Sequence, residues 1–287
     1  MSKRSALVLS GGGARGALQV GAVQALVEIG YHPEILVGTS IGAANGAILA
    51  MHGFNEHGVD MLTEIYREAA ASDILSPDYL RLYLRALVKR PATDPSRRLR
   101  EFYIHNGITP SLHFGDLNNT RLLVIATDIN HYTRVVYGMD PDESVLDAVV
   151  ASTAIPPWVP PIGQNGKLLM DGGLICNLPI EPALGVKPKE IIALDVQENR
   201  EIPEDADGFG AIFNKLANTV QKRQCELEMA LAAAARVPVR YIHLQAEQPV
   251  PIYDFQRWEE LIDAGYRIAT RTVQTWPPKK RSWWSIS

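Results

Sequence analysis

Apolar and polar positions alternate in blocks along the first fifty residues. Residues 5–9 form an apolar run of the length of a buried strand, and a glycine-rich segment follows it. From residue 17 to 29, apolar side chains recur at helical spacing. A second apolar run, residues 35–38, leads directly into a small-residue helix pattern that begins at Ile41. Strand, loop, helix, strand, turn and helix in this order predict a parallel sheet with helices on its faces.

Later segments extend this alternation of strands and helices. The pattern predicts strands over residues 121–127, 133–137, 167–170, 190–196 and 238–244, and the first two of these form a hairpin. It predicts helices over residues 56–71, 77–90, 144–151, 209–235 and 254–274. Between these elements, it predicts a polar, proline-bearing connection over residues 89–98, a rigid proline-dense loop over 152–161 and an acidic loop over 198–207.

Length raises the question of how many domains the chain forms. At 287 residues it lies slightly above the usual ceiling for one hydrophobic core, and it contains no internal repeat. We therefore expect one domain over residues 1–287 that carries insertions. The segment 54–117 is the predicted helical insertion or cap, and residues 276–287 form a predicted tail.

Composition and charge narrow the class of protein. A hydrophobic content of 46% supports a large core, and a net charge of -4 without a long basic tract argues against a nucleic-acid binder. Cys176 and Cys225 are too few for a disulfide framework, so we expect both thiols to be reduced and buried.

Two segments carry features of membrane-associated sequences. The apolar run after Lys3 and Arg4 breaks at the glycines, so it is too short for a secretory signal, and no stretch of the chain is long enough to span a bilayer. The tail mixes cations with tryptophans, which suits a membrane interface, although a solvated tail is the alternative. We expect a cytoplasmic protein of unknown oligomeric state, with transient contact at a membrane surface left open.

A single hydroxyl stands at the turn between the second strand and the second helix. Ser40 has Gly38 two places before it and Gly42 two places after it, the G-x-S-x-G arrangement of a nucleophile on a sharp strand-to-helix turn. The glycines suit a turn whose neighbouring backbones come too close for a Cβ. An ordinary loop that ends in a helix N-cap is the alternative interpretation.

The glycine-rich loop after the first strand offers backbone N–H groups to an anion. Gly11, Gly12 and Gly13 leave these groups unobstructed between a strand and a helix, where they can converge on an oxyanion. Through Gly16, the same segment matches the dinucleotide-binding pattern G-x-G-x-x-G. That pattern also requires an acidic residue at the end of the second strand, whereas Glu34 precedes the strand. Dinucleotide binding is the alternative from another class of function.

A serine nucleophile needs a base, and the sequence offers two candidates. Asp171 ends a predicted strand and is followed by Gly172 and Gly173, which allow a close approach to its carboxylate. Partial burial raises the pKa of such a carboxyl toward that of a useful base. His243 ends a later strand and fits the chain order of an α/β-hydrolase triad. Against His243, that fold places its serine after several strands, whereas Ser40 follows the second.

Taken in order, these motifs resemble the patatin-like phospholipases. The resemblance covers residues 5–196 and is carried by the glycine loop up to Gly16, the serine turn and the Asp171 turn. It implies a three-layer α/β/α sandwich with a mainly parallel central sheet. Further positions between and after these motifs also look like the family: Thr127, Asp128, Ala151, Ser152, Pro156, Pro160, Pro161, Asn177 and Pro179.

The resemblance also implies a serine–aspartate dyad that hydrolyses fatty-acyl carboxylic esters of lipids. Ser40 attacks the acyl carbonyl, Asp171 accepts its proton, and the loop from Gly11 to Gly13 holds the oxyanion. Water then releases the fatty acid from an acyl-serine, with no metal or cofactor. Arg15 is a candidate anion contact. The glycines expected to shape the two turns are Gly38, Gly42, Gly172 and Gly173. The lipid head group stays open, as does a pseudo-enzyme that binds acyl chains without cleaving them.

Overall fold

An eight-stranded sheet runs through the middle of the protein. The structure is a computed structural model that describes residues 4–72, 95–118, 120–156, 158–198, 200 and 209–276. The predicted helix over residues 77–90, most of the acidic loop over 198–207 and the tail after residue 276 lie outside the described residues. The strands are β1 (Ser5–Leu9), β2 (Ile35–Thr39), β3 (Arg121–Asp128), β4 (Thr133–Tyr137), β5 (Ile162–Gln164), β6 (Lys167–Asp171), β7 (Glu190–Asp195) and β8 (Val239–His243).

Five of these strands form the parallel part of the sheet, in the order β3-β2-β1-β7-β8. The predicted hairpin is confirmed, because β4 pairs antiparallel with β3. β6 also pairs antiparallel with β3, and β5 extends this part of the sheet beyond β6. Each central parallel strand is buried on both faces, which explains why β1 and β2 are continuous apolar runs.

The register places the ends of β2 and β6 next to each other. Thr39, the last residue of β2, lies opposite Ile125 of β3, and Asp171, the last residue of β6, lies opposite the next residue, Ala126. β4 pairs with both Ile125 and Ala126, so it occupies the other edge of β3. β2 and β6 therefore approach each other head to head along one edge of β3, and their carboxyl ends meet.

Helices cover both faces of the sheet, which confirms the predicted three-layer architecture. They are α1 (Ala17–Glu28), α2 (Ile41–His52), α3 (Glu56–Ser72), α4 (Pro95–His105), α5 (Val145–Ser152), α6 (Ile180–Gly185), α7 (Phe209–Ala234) and α8 (Trp258–Gln274). The first five and α8 pack with Leu7 and Leu9 on one face. The side chains of α6 and α7 pack with Ala6 and Val8 on the other.

The segment 54–117 contributes two described helices to the first of these layers. On α3, Val59 and Leu62 are buried, and Tyr66 donates a hydrogen bond from its hydroxyl to Oδ1 of Asn45 on α2, at 3.2 Å. On α4, Leu99 and Tyr103 are buried in the same core. Both helices thus pack directly on the main core.

One predicted boundary is wrong, because the helix α4 begins inside the expected connection over residues 89–98. Pro95 is the first residue of α4, a position where its missing N–H costs nothing. The apolar residues that bury this helix, Leu99 and Tyr103, follow one turn apart after the polar stretch. The short elements β5 and α6 were also not predicted. Of the two cysteines, Cys176 is buried as expected, whereas Cys225 is half-buried.

None of the helices in the described ranges combines the length and the apolar character that crossing a membrane requires.

Candidate active site

Ser40 stands at a strained turn between β2 and α2. Its backbone adopts φ 54° and ψ -126°, a conformation that a residue with a side chain rarely takes and that costs on the order of 1–3 kcal/mol. A Cβ at Gly38 would overlap the backbone of Gly42, and a Cβ at Gly42 would overlap the carbonyl of Leu9. The two glycines of the motif are therefore required by sterics, as the sequence predicts.

Hydrogen bonds from neighbouring elements hold this turn. The backbone N–H of Ser40 donates to Oγ of Ser152 at 2.8 Å, and the Ser152 hydroxyl donates in turn to the carbonyl of Ile125 at 2.5 Å. The Thr39 hydroxyl donates to the carbonyl of Cys176 at 2.8 Å. Side chains from α5 and β2 thus fix the turn on both sides, which is how its strain is sustained.

The Ser40 hydroxyl points at the carboxylate of Asp171. Oγ of Ser40 donates to Oδ2 of Asp171 at 2.5 Å, a short distance typical of a hydroxyl bound to a charged acceptor. The other carboxylate oxygen, Oδ1, accepts the backbone N–H of Gly173 at 2.7 Å. The backbone of Asp171 is also fixed, because its N–H donates to the carbonyl of Ala154 at 2.9 Å. The two residues meet because β2 and β6 meet on β3.

Burial changes the acid–base character of Asp171. Asp171 is only 7% exposed, and loss of hydration raises the pKa of its carboxyl from 3.8 to about 6. The hydrogen bonds from Ser40 and Gly173 oppose this shift but are outweighed. The carboxylate is therefore a stronger base than an exposed aspartate, while it remains ionised near neutral pH.

The glycine-rich loop lies beside this pair. A Cβ at Gly11 would lie 3.1 Å from Cβ of Ser40. The N–H of Gly11 is already used, since it donates to the carbonyl of Asn177 at 3.1 Å, and Nδ2 of Asn177 donates back to the carbonyl of Gly11 at 3.4 Å. The N–H groups of Gly12 and Gly13 donate to no acceptor among the described residues. The predicted three-donor loop is thus reduced to two available N–H groups.

The 3-10 turn that leads into α1, Gly13–Gly16, is partly covered by the protein's own backbone. The N–H of Ala14 donates to the carbonyl of Ile252 at 2.8 Å, and a Cβ at Gly13 would overlap that carbonyl. A dinucleotide's pyrophosphate requires this helix end to be open. β2 also ends at Thr39 and is followed by Ser40, without the acidic residue that holds a ribose. The geometry therefore argues against the dinucleotide-binding alternative.

The Arg15 side chain binds the backbone of the glycine loop. Its Nε donates to the carbonyl of Gly12 at 3.2 Å. Burial lowers the pKa of its guanidinium, and the nearby carboxylates of Glu198 and Asp195 oppose that shift. The side chain therefore orients Gly12 and faces carboxylates of the protein. A direct contact between Arg15 and a substrate anion stays a prediction.

His243 is remote from Ser40. It ends β8, opposite Asp195 of β7, and its Nε2 lies 2.9 Å from the carbonyl of Gln197, which accepts a hydrogen bond from it. β1 and β7 separate β8 from β2, which corresponds to about 14 Å at the usual spacing of strands. The structure does not bring His243 to the serine, which argues against the Ser–Asp–His triad.

A residue that the sequence did not indicate holds the segment after Asp171. Gln224, on α7, donates from Nε2 to the carbonyl of Leu174 at 2.8 Å and accepts the N–H of Asn177 on Oε1 at 3.2 Å. Because Asn177 in turn pairs with Gly11, this amide links α7 to the glycine loop. Gln224 lies in the middle of a long helix, and no sequence motif around it indicates this role.

Two further observations concern ligands. An open cavity of about 470 Å³ lies at the amino ends of β2 and β3, between His32, Glu34 and Arg121, at the opposite end of the sheet from Ser40. Within the described ranges, no three His, Cys, Asp or Glu side chains come together as a metal site.

Comparisons with known sequences give a family match. A sequence model of the family described as patatin-like phospholipase matches residues 7–184. The chain is 29% identical to patatin-like phospholipase domain-containing protein 7 of Mus musculus over 299 residues, covering 94% of this chain and 21% of that protein. It is 27% identical to lysophospholipase NTE1 of Phaeosphaeria nodorum over 293 residues, covering 92% of this chain and 18% of that protein. The chain thus spans about a fifth of the curated relatives it matches.

Comparisons with solved structures agree on the fold. VipD from Legionella pneumophila superposes with a TM-score of 0.54 at 16% identity, covering 95% of this chain and 67% of that one. A human GIVD cytosolic phospholipase A2, solved in complex with methyl gamma-linolenyl fluorophosphonate, superposes with a TM-score of 0.52 at 12% identity, covering 94% and 58%.

Proposed function

The chain belongs to the patatin-like phospholipase family, and from this premise we propose that it hydrolyses the fatty-acyl carboxylic esters of lipids, with Ser40 as nucleophile and Asp171 as base. The observation that carries the proposal is the 2.5 Å hydrogen bond from Oγ of Ser40 to Oδ2 of Asp171, at a strained strand-to-helix turn. A hydroxyl bound to a buried carboxylate of raised pKa is the arrangement that activates a serine.

In the first step, Oγ of Ser40 attacks the acyl carbonyl carbon of the ester while its proton passes to Oδ2 of Asp171. The carbonyl π bond opens and its electron pair moves onto oxygen. When the tetrahedral intermediate collapses, the C–O bond to the alcohol breaks, and Asp171 returns the proton to the leaving alcohol. An acyl-serine remains. The strained backbone of Ser40 holds Oγ out of the turn for this attack.

The negative oxygen of the intermediate needs donors that are not already bonded. The N–H groups of Gly12 and Gly13 meet this requirement within the described residues, whereas that of Gly11 is bonded to Asn177. We assign the oxyanion to Gly12 and Gly13, with Gly11 providing the close approach to Ser40. One preorganised donor of this kind contributes about 3–4 kcal/mol of transition-state stabilisation.

In the second step, water hydrolyses the acyl-serine. Asp171, ionised again after the alcohol has left, accepts a proton from water as the water oxygen attacks the acyl carbon. The intermediate collapses, the bond from Oγ of Ser40 to the acyl carbon breaks, and the proton passes from Asp171 back to Oγ. The products are a fatty acid and the free enzyme, so one carboxylate acts as base and acid in both steps.

Lipids are the substrate class that the family supports. The family is described as patatin-like phospholipase, and one relative is named a lysophospholipase. We propose one hydrolase domain over residues 1–287, with its motifs in 5–196 and segment 54–117 beside the site. Tyr103 of α4 supports the last point, because its hydroxyl donates to Oγ1 of Thr153 at 3.3 Å, and the preceding residue, Ser152, binds the N–H of Ser40. The proposal includes transient contact with a lipid surface.

Covalent labelling tests the nucleophile. An alkyl fluorophosphonate should label the protein once, and peptide mass spectrometry should place the label on Ser40. Ser40→Ala should abolish both labelling and hydrolysis of a p-nitrophenyl acyl ester, by a factor on the order of 10⁴–10⁶ in kcat/KM. Ser72→Ala, an exposed serine on α3, is the matched control and should keep both. Tight binding of NAD with no labelling of Ser40 would overturn the proposal in favour of dinucleotide binding.

A further inference from the structure

The outer face of α7 exposes a row of large apolar side chains. Leu216, Val220, Leu227 and Leu231 are 59%, 46%, 49% and 44% exposed. Their spacings of four, seven and four residues place them within about 60° of one another around the helix, at 100° per residue. We call these four residues the α7 stripe. Such a continuous row differs from the exposed apolar residues found singly elsewhere, such as Ile29 and Met139.

The inner face of the same helix is fixed to the candidate active site. Besides Gln224, which holds Leu174 and Asn177, Glu228 accepts the backbone N–H of Glu181 at 2.5 Å and the thiol of Cys176 at 3.1 Å. These contacts join α7 to the segment that follows Asp171. At 100° per residue, Gln224 lies only about 20–80° around the helix from the stripe residues, so the stripe adjoins the side of α7 that holds this segment.

An exposed leucine lies between the stripe and the site. Leu174 follows Asp171 by three residues, is 51% exposed, and its carbonyl is bound by Gln224. Apolar surface thus extends from the outer face of α7 toward the edge of the sheet where Ser40 and Asp171 meet.

The charges around the stripe suit an anionic surface. From residue 215 to 236 the chain carries four cationic side chains, Lys215, Lys222, Arg223 and Arg236, and two carboxylates. One carboxylate, Glu228, is buried on the inner face, and Glu226 is the exposed one. This excess of positive charge stands on a chain whose net charge is -4. Of these cations, Arg223 borders the stripe and pairs with Glu226 at 2.9 Å, whereas Lys215 and Lys222 lie about 100–180° around the helix from the stripe residues, and Arg236 follows the end of α7. Leucines on an exposed helix surface that also carries cations are typical of helices that lie in the headgroup region of a membrane.

The size of the stripe argues against a stable protein interface. Four half-exposed side chains present a few hundred Å², whereas a standard interface buries about 800 Å² on each partner. Shallow insertion into a lipid surface needs no such area, because its strength comes from a few apolar side chains and electrostatic attraction together.

Resting on the proposed lipid-ester hydrolysis, we propose that the α7 stripe is the surface by which this protein docks on anionic phospholipid membranes. Docking places the edge of the sheet with Ser40 beside the lipid, so that an acyl ester reaches the site from the bilayer. Hydrolysis depends on the α7 stripe only when the substrate is in a membrane, since a soluble ester reaches Ser40 without docking.

The test compares a stripe variant with a matched control. The stripe variant combines Leu216→Ser, Val220→Ser, Leu227→Ser and Leu231→Ser, and the control combines Ile29→Ser and Met139→Ser. Binding is measured by co-sedimentation with vesicles of phosphatidylcholine and phosphatidylglycerol at 3:1. Hydrolysis is measured on the same vesicles and on soluble p-nitrophenyl butyrate. We expect the stripe variant to lose at least tenfold in vesicle binding and vesicle hydrolysis, and to stay within twofold on the soluble ester. The control should match the wild type throughout.

A second variant separates charge from apolar contact. Lys222→Glu with Arg223→Glu should weaken binding to the anionic vesicles severalfold and leave activity on the soluble ester unchanged, because both side chains are exposed on α7 and take no part in the candidate active site.

Three results would each overturn one of the two proposals, either the docking surface or the hydrolase activity. Vesicle binding by the stripe variant equal to that of the wild type overturns the docking proposal. A wild-type dimer that dissociates in the stripe variant, seen by light scattering, also overturns it and assigns the stripe to a second copy of the chain. Stripe-dependent vesicle binding by a protein that cleaves neither substrate supports the docking surface but overturns the proposed function.

Discussion

Asp171 and Asp195 are two buried aspartates at the carboxyl ends of strands in one sheet, but their carboxylates have different neighbours. Asp171 binds the backbone N–H of Gly173 through one oxygen and the Ser40 hydroxyl through the other. Asp195 binds the backbone N–H of Gln197 at 3.1 Å and the hydroxyl of Tyr241 at 2.7 Å. Each carboxylate thus has one backbone donor and one hydroxyl donor. The difference between the two sites lies in the hydroxyl.

The two hydroxyls differ in what they can do next. Tyr241 is held in the sheet, and burial together with the charge of Asp195 raises the pKa of its phenol far above the ordinary range, so it keeps its proton. Ser40 projects from a strained turn with unbonded N–H groups nearby, where its oxygen can attack a carbonyl carbon. A buried carboxylate therefore becomes a base only where its partner has a way to react. At Asp195 the same arrangement is structural.

Substituting the two aspartates by asparagine should separate these roles most strongly. Asp171→Asn keeps the shape of the side chain and removes the base, so we expect kcat/KM for a p-nitrophenyl ester to fall by a factor on the order of 10³–10⁴. Asp195→Asn should stay within about fivefold, because Asp195 contacts neither Ser40 nor the glycine loop. Steady-state kinetics on both variants, with circular dichroism to verify the fold, measure the difference. Equal losses in the two variants would contradict the assignment of Asp171 as base.

The sequence predicted the serine side of this site better than the carboxylate side. The close contact that requires glycine in this turn joins Gly38 to Gly42, only four residues away, so Ser40 could be found from the local sequence pattern alone. The parallel strands β1 and β2 were also predictable, because burial on both faces makes them continuously apolar. These features depend on neighbours in the chain.

The remaining geometry depends on contacts between distant segments. No local pattern shows that β6 runs antiparallel on the same edge of β3 as β2, which is what brings Asp171 to Ser40. The bond from Gly11 to Asn177 spans 166 residues and removes one of three expected oxyanion donors. Asp195 shows the same limit, because a strand that ends in aspartate looks alike in sequence whether its partner is Ser40 or Tyr241.

Stability should change in opposite directions in the two aspartate variants. The pKa of Asp171 is about 6 in the folded protein and near 3.8 when unfolded, so between pH 4 and 6 unfolding releases a proton. The contribution of this group to stability is therefore present below pH 4 and is lost as pH rises through 6. Asp171→Asn removes that dependence and should stabilise the protein by about 3 kcal/mol at pH 8, with little effect at pH 4.

Urea unfolding at pH 4, 6 and 8 measures this effect. Asp195→Asn should instead destabilise the protein by about 1 kcal/mol at pH 8, since it weakens charge-assisted hydrogen bonds to Gln197 and Tyr241. A gain in stability for Asp171→Asn that is the same at pH 4 and pH 8 would show that the carboxyl is not the origin of the effect.

His243 gives the smallest expected effect and the sharpest contrast with a conventional triad. It lies opposite Asp195 in the sheet, so an aspartate and a histidine are neighbours here, as they are in a Ser–Asp–His site. Its Nε2, however, donates to the carbonyl of Gln197, and two strands separate it from the strand that leads to Ser40. We therefore expect His243→Ala to keep kcat/KM within about threefold, with a loss of about 1 kcal/mol of stability for the missing hydrogen bond.

His243→Gln, which retains a donor, serves as the control for that loss. If His243→Ala lowered turnover a hundredfold while the fold and the fluorophosphonate labelling of Ser40 persisted, the base would have to be sought on β8, and the contrast between Asp171 and Asp195 would reverse.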